Sequence, residues 1–366
     1  MNFYPSFLLP LLFGLLGLSS ALTAQQGSFF DLLYASQTGD HTPRAVTITL
    51  PLDSVYAKTE AKFPATIAFT DVDGEAQVWD LKLNLRGRFR RARCPFAPLK
   101  LDLSKKDLRT RDRALHDKFK LVTHCADDEV NRTLLLKEYL AYRAYALLTP
   151  YAFRVQLLEI TYVDANGNHA DQTYLGFLLE DPDEMAERAG GVEVEEALSL
   201  PPVAFSPRAE ADHALFQYLI GNADYNLPML RNLKLVELPT TQLVPVGYDF
   251  DFSGWVGSPY ANATREVGAL SIYDRVYLGF ARPDHVLRKS ILHFQVQRPA
   301  IEELVRSFSL LAPGERQVLL RWIGRFYTEM DLLLSNPNVP LYTQLRGKAT
   351  TYVPVGGNRT DYELKE

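Results

Sequence analysis

VWDLKLNLRGRFRRARCPFAPLKLDL, residues 78–103, holds two runs of strict alternation around a basic loop. In the first run Leu81, Leu83 and Leu85 share one face, and Lys82 and Asn84 the other. In the second, Leu99, Leu101 and Leu103 oppose Lys100 and Asp102. A period of two sends successive side chains to opposite faces, so each run reads as a strand with one buried face. Strands of that kind, joined by short connections, belong to an antiparallel sheet. Upstream, AVTITLPL and ATIAFT are equally β-rich, and Asp73-Gly74 marks a hairpin turn. Downstream, FRVQLLEITYVD and QTYLGFLLED read as two further strands joined at Asn166-Gly167. Between the two groups lies NRTLLLKEYLAYRAYALL, whose apolar residues fall at helical spacing behind the cap-like Asp127-Asp128-Glu129. The basic run itself, Arg86, Arg88, Arg90, Arg91 and Arg93, reads as a solvated loop or as a holder of phosphates.

After Asp181 the character changes. Residues 189–207 are loop-rich, AEADHALFQYLIGN reads as a buried helix ending at Gly221, and residues 283–334 are helical in pattern. The order is an α+β layout: a sheet-rich part over 25–180, a mainly helical part over 181–340, and a polar tail over 341–366. Residues 1–24 read as a signal peptide, with an apolar core and a cleavage region near Ala21 or Ala24. Export to a periplasmic, cell-surface or extracellular location is expected, with no membrane-spanning segment in the mature chain. The two cysteines of an exported chain, Cys94 and Cys125, predict one disulfide. A formal net charge of -5 gives no bulk attraction for nucleic acid. Neither HExxH nor GxSxG occurs, which leaves zinc-hydrolase and α/β-hydrolase readings without support.

The stretch GNADYNLPMLRNLKLVELPTTQLVPVGYDFDFSG, residues 221–254, concentrates Asp224, Asn226, Asn232, Asp249 and Asp251. Turn chemistry accounts for such residues in general; the sharper reading is a magnesium-nucleotide site. Phosphoryl transfer needs a cation near the phosphates, oxygen donors for magnesium, and a carboxylate to orient the nucleophile. RNLKLVEL and LVPVGYDF are expected to pair as a hairpin that brings Asn232 and Asp249 together, with Asp224 in the loop before it.

The C-terminal half resembles the spore-coat CotH kinase family and, more distantly, HipA-type and phosphoinositide-kinase-like catalytic loops. The elements that carry the resemblance are Gly221-Asn222-Ala223-Asp224, then Arg231-Asn232, then Val244-Pro245-Val246-Gly247-Tyr248-Asp249-Phe250-Asp251. Upstream, Arg86-Gly87 with the strand of Lys100, then KFKLVTHCADDEVNRTLLLKEYLAYRAY, then YLGFLLED with Gly176 and Glu180, resemble the family's elements in their order. The resemblance implies a two-lobed protein-kinase-like fold with an antiparallel-sheet N-lobe and a mainly helical C-lobe. It implies Asp224 as catalytic base, Asn232 and Asp249 as metal ligands, and Asp251 for a second metal. Lys100, Arg86, Glu138 and Glu180 would serve the nucleotide, with Glu138 paired to Lys100. The implied cofactors are ATP and Mg2+ or Mn2+, and the implied activity is phosphorylation of a protein acceptor. Arg231 stands where the family usually has His, and Asn232 lies eight residues after Asp224. Two other readings stay open: a binding protein that keeps the fold without catalysis, and a surface or coat structural protein. Only the kinase requires Lys100, Asp224, Asn232 and Asp249 to converge on one pocket.

Overall fold

The alternating runs do form strands, and the strands close on themselves. In the computed structural model, which describes residues 27–35, 41–195, 197–347, 352–354 and 362–364, seven of them make a barrel. They are β1 (Arg44–Leu50), β2 (Phe63–Thr70), β3 (Ala76–Leu85), β4 (Leu99–Leu103), β5 (Lys118–Val122), β6 (Val155–Asp164) and β7 (Gln172–Leu179). Their order around the barrel is β1-β2-β3-β4-β5-β7-β6. All neighbours are antiparallel except β1 and β6, which run parallel with Ile48 opposite Tyr162. The expected antiparallel sheet, and with it the two-lobed protein-kinase-like fold, is therefore corrected to a closed mixed barrel. Alternation reports which face of a strand is buried, not which strand it pairs with. The pairing of the first strand with the sixth is encoded by no local pattern.

Inside the barrel Ile48, Ile67, Leu83, Leu101, Phe119, Ile160 and Leu178 form one apolar core. A short helix α1 (Phe29–Leu33), begun by a reciprocal Ser28–Asp31 capping box, plugs it. The ring of Phe29 lies 5.3 Å from that of Trp79 and 5.5 Å from that of Phe119. Helices α2 (Leu52–Tyr56), α3 (Arg88–Arg93) and α4 (Lys105–Thr110) interrupt the barrel connections. The basic run expected as a loop is thus largely helix α3, which buries Arg90.

Helix α5 (Glu129–Leu148) starts at the N-cap Asp128, whose carboxylate accepts the Asn131 N–H, and connects β5 to β6. Beyond β7 come α6 (Pro182–Arg188), α7 (Pro207–Ile220), α8 (Asp284–Ser307), α9 (Pro313–Ser335) and α10 (Leu341–Gly347). A second core packs Leu136 and Tyr145 of α5 with Phe216 of α7, Phe294 of α8 and Phe326 of α9. It also takes Val122 and Phe177 from the barrel strands, so α5 lies between the two parts. A small sheet of order β10-β9-β8 joins β8 (Val192–Val194), β9 (Leu233–Glu237) and β10 (Leu243–Gly247). A last hairpin pairs β11 (Tyr352–Pro354) with β12 (Tyr362–Leu364).

Cys94, which caps α3, is disulfide-bonded to Cys125, just ahead of α5, with a Cα separation of 4.7 Å. Among the described residues no helix is long and apolar enough to cross a membrane. The expected signal peptide lies outside the described residues. Of the expected polar tail, residues 341–347 form α10, which buries Leu341 and Leu345.

Candidate functional site

The β9–β10 hairpin ends where its last pair, Gly247 opposite Leu233, stops. Asn232 immediately precedes β9 and Asp249 follows β10 by two residues; both are left-handed, at φ 57° and 64°. Asn and Asp tolerate that region better than other non-glycine residues, because their short polar side chains bond locally. The Tyr248 N–H donates to the Asn232 carbonyl at 3.1 Å, and the Asp249 N–H to the Tyr142 hydroxyl at 2.8 Å. The hairpin thus holds Asn232 and Asp249 at one end. Asp224 arrives from α7, whose C-cap Gly221 turns the chain at φ 63°. Its N–H donates to Asn222 Oδ1 at 2.9 Å, and Asn232 Nδ2 donates to the Asp224 carbonyl at 2.7 Å and to Oδ2 at 3.0 Å. Arg231 Nη2 lies 3.4 Å from the other carboxylate oxygen. Burial raises the pKa of the half-buried Asp224, opposed by Arg231 and Asn232.

Behind this pair stands a cluster of three carboxylates. Glu138 of α5, Asp249 and Asp251 each offer an oxygen within 4.8 Å of the others. Burial first, and then the neighbouring acids, hold the Glu138 and Asp251 carboxyls well above the usual range, against the pull of Arg90. Arg90 Nη1 lies 3.5 Å from Glu138, and its Nη2 donates to the Thr123 carbonyl at 3.1 Å. Arg86 Nη2 is 3.8 Å from Asp249 Oδ1. The Tyr260 hydroxyl donates to Asp251 Oδ2 at 3.1 Å. A cavity of about 170 Å³ opens among Arg86, Arg90, Asp224, Asn232, Asp249 and Asp251.

The structure therefore brings together Arg86, Asp224, Asn232, Asp249 and Asp251, with Glu138 against the same acids. It does not bring Lys100 to the cavity: the charges that act on it are Lys118, Asp102, Asp181 and Lys62. The partner expected for it, Glu138, pairs with Arg90 instead. Glu180 also lies elsewhere, fully engaged by Arg154 Nε at 2.7 Å and Arg188 Nη2 at 2.8 Å. That network reaches Asp31 of α1 through Arg154 and fastens the barrel plug. Asn232 spends its amide Nδ2 on Asp224, which fixes the two residues against each other beside the acid cluster.

Lys120 went unnamed in the sequence reading, and Arg90 was named only within the basic run. Lys120 is the cross-strand partner of Lys100, and its Nζ lies 3.6 Å from the centroid of the Tyr248 ring. Burial, and next Arg86, push its pKa down to about 7, while Asp249 opposes them. Alternation in KFKLV, with Phe119 and Leu121 inside the barrel, already sets Lys120 on the outer face. Arg90 had no comparable signal, since five arginines in one short run are indistinguishable by pattern. No family model matches the chain and no curated protein sequence matches it, so the chemistry of the site is read from its own residues.

Proposed function

We propose that the protein is a metal-dependent phosphotransferase that moves the terminal phosphoryl group of ATP to a hydroxyl of a polypeptide acceptor. The observation that carries this is one cavity in which a fixed carboxylate, a largely buried acid cluster and three arginines, Arg86, Arg88 and Arg90, converge. The acid cluster suits a divalent cation. Glu138 Oε1 is buried without a hydrogen-bond partner, and three like charges so close, offset in part by Arg90 and Arg86, are further stabilised by protonation or by a bridging ion. All the donors are hard oxygens, which favours Mg2+ or Mn2+ held by Glu138, Asp249 and Asp251. Such an ion, when bound, neutralises charge on the phosphate oxygens.

The chain's own residues supply the rest. Arg86 and Lys120, both beside Asp249, orient and hold the phosphate oxygens. Asp224, immobilised by Asn232, accepts the proton of the acceptor hydroxyl while its oxygen bonds to phosphorus and the bond to ADP breaks. A cavity of about 170 Å³ seats phosphoryl groups, not a whole nucleotide, because ligand pockets usually need about 300 Å³ or more. The nucleoside then lies outside it, against the aromatic wall of Phe89, Phe252 and Tyr260, whose rings stand 5.3 to 5.7 Å apart. A polypeptide acceptor and export are supported by the spore-coat kinase resemblance and the N-terminal segment, and the disulfide is compatible with export. The Arg231–Asp224 ion pair favours a second reading, a nucleotide-binding protein without transfer, because it occupies the free side of the carboxylate.

The test is transfer of label from γ-radiolabelled ATP with Mg2+ or Mn2+. Asp224→Asn is expected to lower transfer by about 10³-fold while nucleotide affinity and melting temperature stay near wild type. Nucleotide binding with no transfer by wild type selects the second reading. Absence of nucleotide binding overturns both.

A further inference from the structure

A larger cavity, about 490 Å³, lies by the first turn of α5, between that helix and the outer face of β6 and β7. Its walls carry four carboxylates, Asp127, Asp128, Glu129 and Glu159, against one guanidinium, Arg132. Acids at a helix start ordinarily do no more than complement the dipole, and two of these are so spent. Asp128 accepts the Asn131 N–H at 2.8 Å, and Glu129 pairs with Arg132 at 3.3 Å. Asp127 and Glu159 are different. Asp127 takes a hydrogen bond from the Tyr174 hydroxyl and is otherwise exposed, and Glu159 is exposed on β6 without an ion-pair partner among the described residues. The dipole of α5 adds about half a positive charge, too little to balance them.

A second observation is independent of the acids. His124, only 6% exposed, lines the same cavity, and neither of its ring nitrogens meets a hydrogen-bond partner among the described residues. The ring is held in place by stacking on Tyr174 at 3.7 Å and packing against Phe96 at 4.6 Å. Burial, with Arg90 adding to it, keeps the imidazole neutral, its pKa pushed down to about 4 despite Asp127. A neutral imidazole presents one acceptor nitrogen. The cavity thus offers acceptors at its base and rim and apolar surface from Leu135, Leu175 and Leu310 between them. The described acids do not gather here into a metal-binding set, since the one such cluster is at Glu138. A donor-rich cation on an aliphatic stem matches this lining, and the exposed Asp127 and Glu159 leave it reachable from solvent, as a chain-borne group requires.

We infer that this cavity is a binding site for a lysine or arginine side chain of a partner polypeptide, held by Asp127, Glu159 and His124. The inference stands apart from phosphoryl transfer, and its experiment reads the two separately. A fluorescein-labelled alanine-serine peptide with a single central arginine is titrated with the full protein at physiological salt, followed by fluorescence anisotropy. The same peptide with citrulline, which keeps the shape and loses the charge, should bind about tenfold more weakly. The double variant Asp127→Asn/Glu159→Gln should lose about tenfold, and His124→Phe, which keeps the stack and removes the nitrogens, about fivefold. Each variant is checked for an unchanged melting temperature and an unchanged thermal shift by Mg-ATP. Equal binding of the citrulline peptide, full binding by either variant, or saturation by free spermine with no response to the peptide overturns the inference. Loss of the Mg-ATP shift in wild type with peptide binding intact would instead count against phosphotransfer alone.

Discussion

Glu138 is 2% exposed, with Asp251 and Asp249 as neighbours, and burial followed by those charges raises its pKa to about 8. In the unfolded chain the group titrates in the ordinary carboxylate range, so the folded, metal-free protein binds the proton more tightly than the unfolded one. Its stability contribution is full at low pH and is lost as pH rises towards about 8. In the presence of a chelator, the melting temperature of wild type should fall between about pH 5 and about pH 8. Saturating Mg2+ should restore it most at the upper end, by stabilising the ionised cluster. Glu138→Gln should flatten the profile and abolish the Mg2+ effect; a flat profile in wild type would count against a buried acid cluster. Lys120 and Lys100 provide a paired comparison. Lys120→Met removes a charge that faces Asp249 and should reduce Mg-nucleotide affinity by about tenfold or more, whereas Lys100→Met, whose charged neighbours are Lys118, Asp102, Asp181 and Lys62, should stay within about threefold by calorimetry. At this scale Asp224, Asn232 and Asp249 were legible because small oxygen-bearing residues stand at the ends of two alternating runs. Lys100 was preferred to Lys120 because the resemblance singles out the strand that follows Arg86-Gly87, and alternation, which puts both lysines on one face, does not correct it.

Helix α3 shows what a short element can hide. RFRRAR has no amphipathic stripe, yet the helix forms with its end tied by the Cys94–Cys125 bridge and presents Arg90 to Glu138. The bridge closes a sequence separation of 31 residues, worth about 3–4 kcal/mol in the chain-entropy view. Urea unfolding of Cys94→Ser/Cys125→Ser should therefore show a loss of about 3 kcal/mol, and a loss below about 1 kcal/mol would mean that α3 is held by other contacts. The end of α7 makes a second test. Gly221 is left-handed, and a Cβ there would lie 2.8 Å from Trp322 of α9. Gly221→Ala should cost about 2 kcal/mol or more, whereas Gly314→Ala, with no atom within 4 Å, should be near neutral in the same denaturation assay. Gly221 as a helix stop was readable from the sequence, as were the strands around Asp73-Gly74 and Asn166-Gly167. β8 was not, since three residues, Val192–Val194, in a loop-rich stretch carry too little periodicity to register.

Across the whole molecule, α5 is the element that settles how the parts fold. It joins β5 to β6 in the chain, yet its apolar residues belong to the core shared with α7, α8 and α9. The barrel cannot complete its β6 and β7 without placing α5, and α5 shares its core with the later helices as well as with Val122 and Phe177 of the barrel. Calorimetry of the full chain should show one transition, with van't Hoff and calorimetric enthalpies equal; two separated transitions would show that the barrel folds alone. Barrel closure escaped the sequence for the same reason that contacts between distant segments usually do: β1 meets β6 through tertiary packing, and neither run records it. Closure has a consequence for life at high concentration. A chain with so many β-rich runs would, as an open sheet, display a row of unsatisfied amides able to recruit strands from neighbouring molecules. The barrel displays none, and in the small sheet β10 is met at Leu243 by Phe205 while the free side of β8 is only Val192–Val194. Closure thereby hides the barrel's own β-rich runs, and a substitution that unzips β1 from β6 would expose two of them to neighbouring chains before it touched the chemistry.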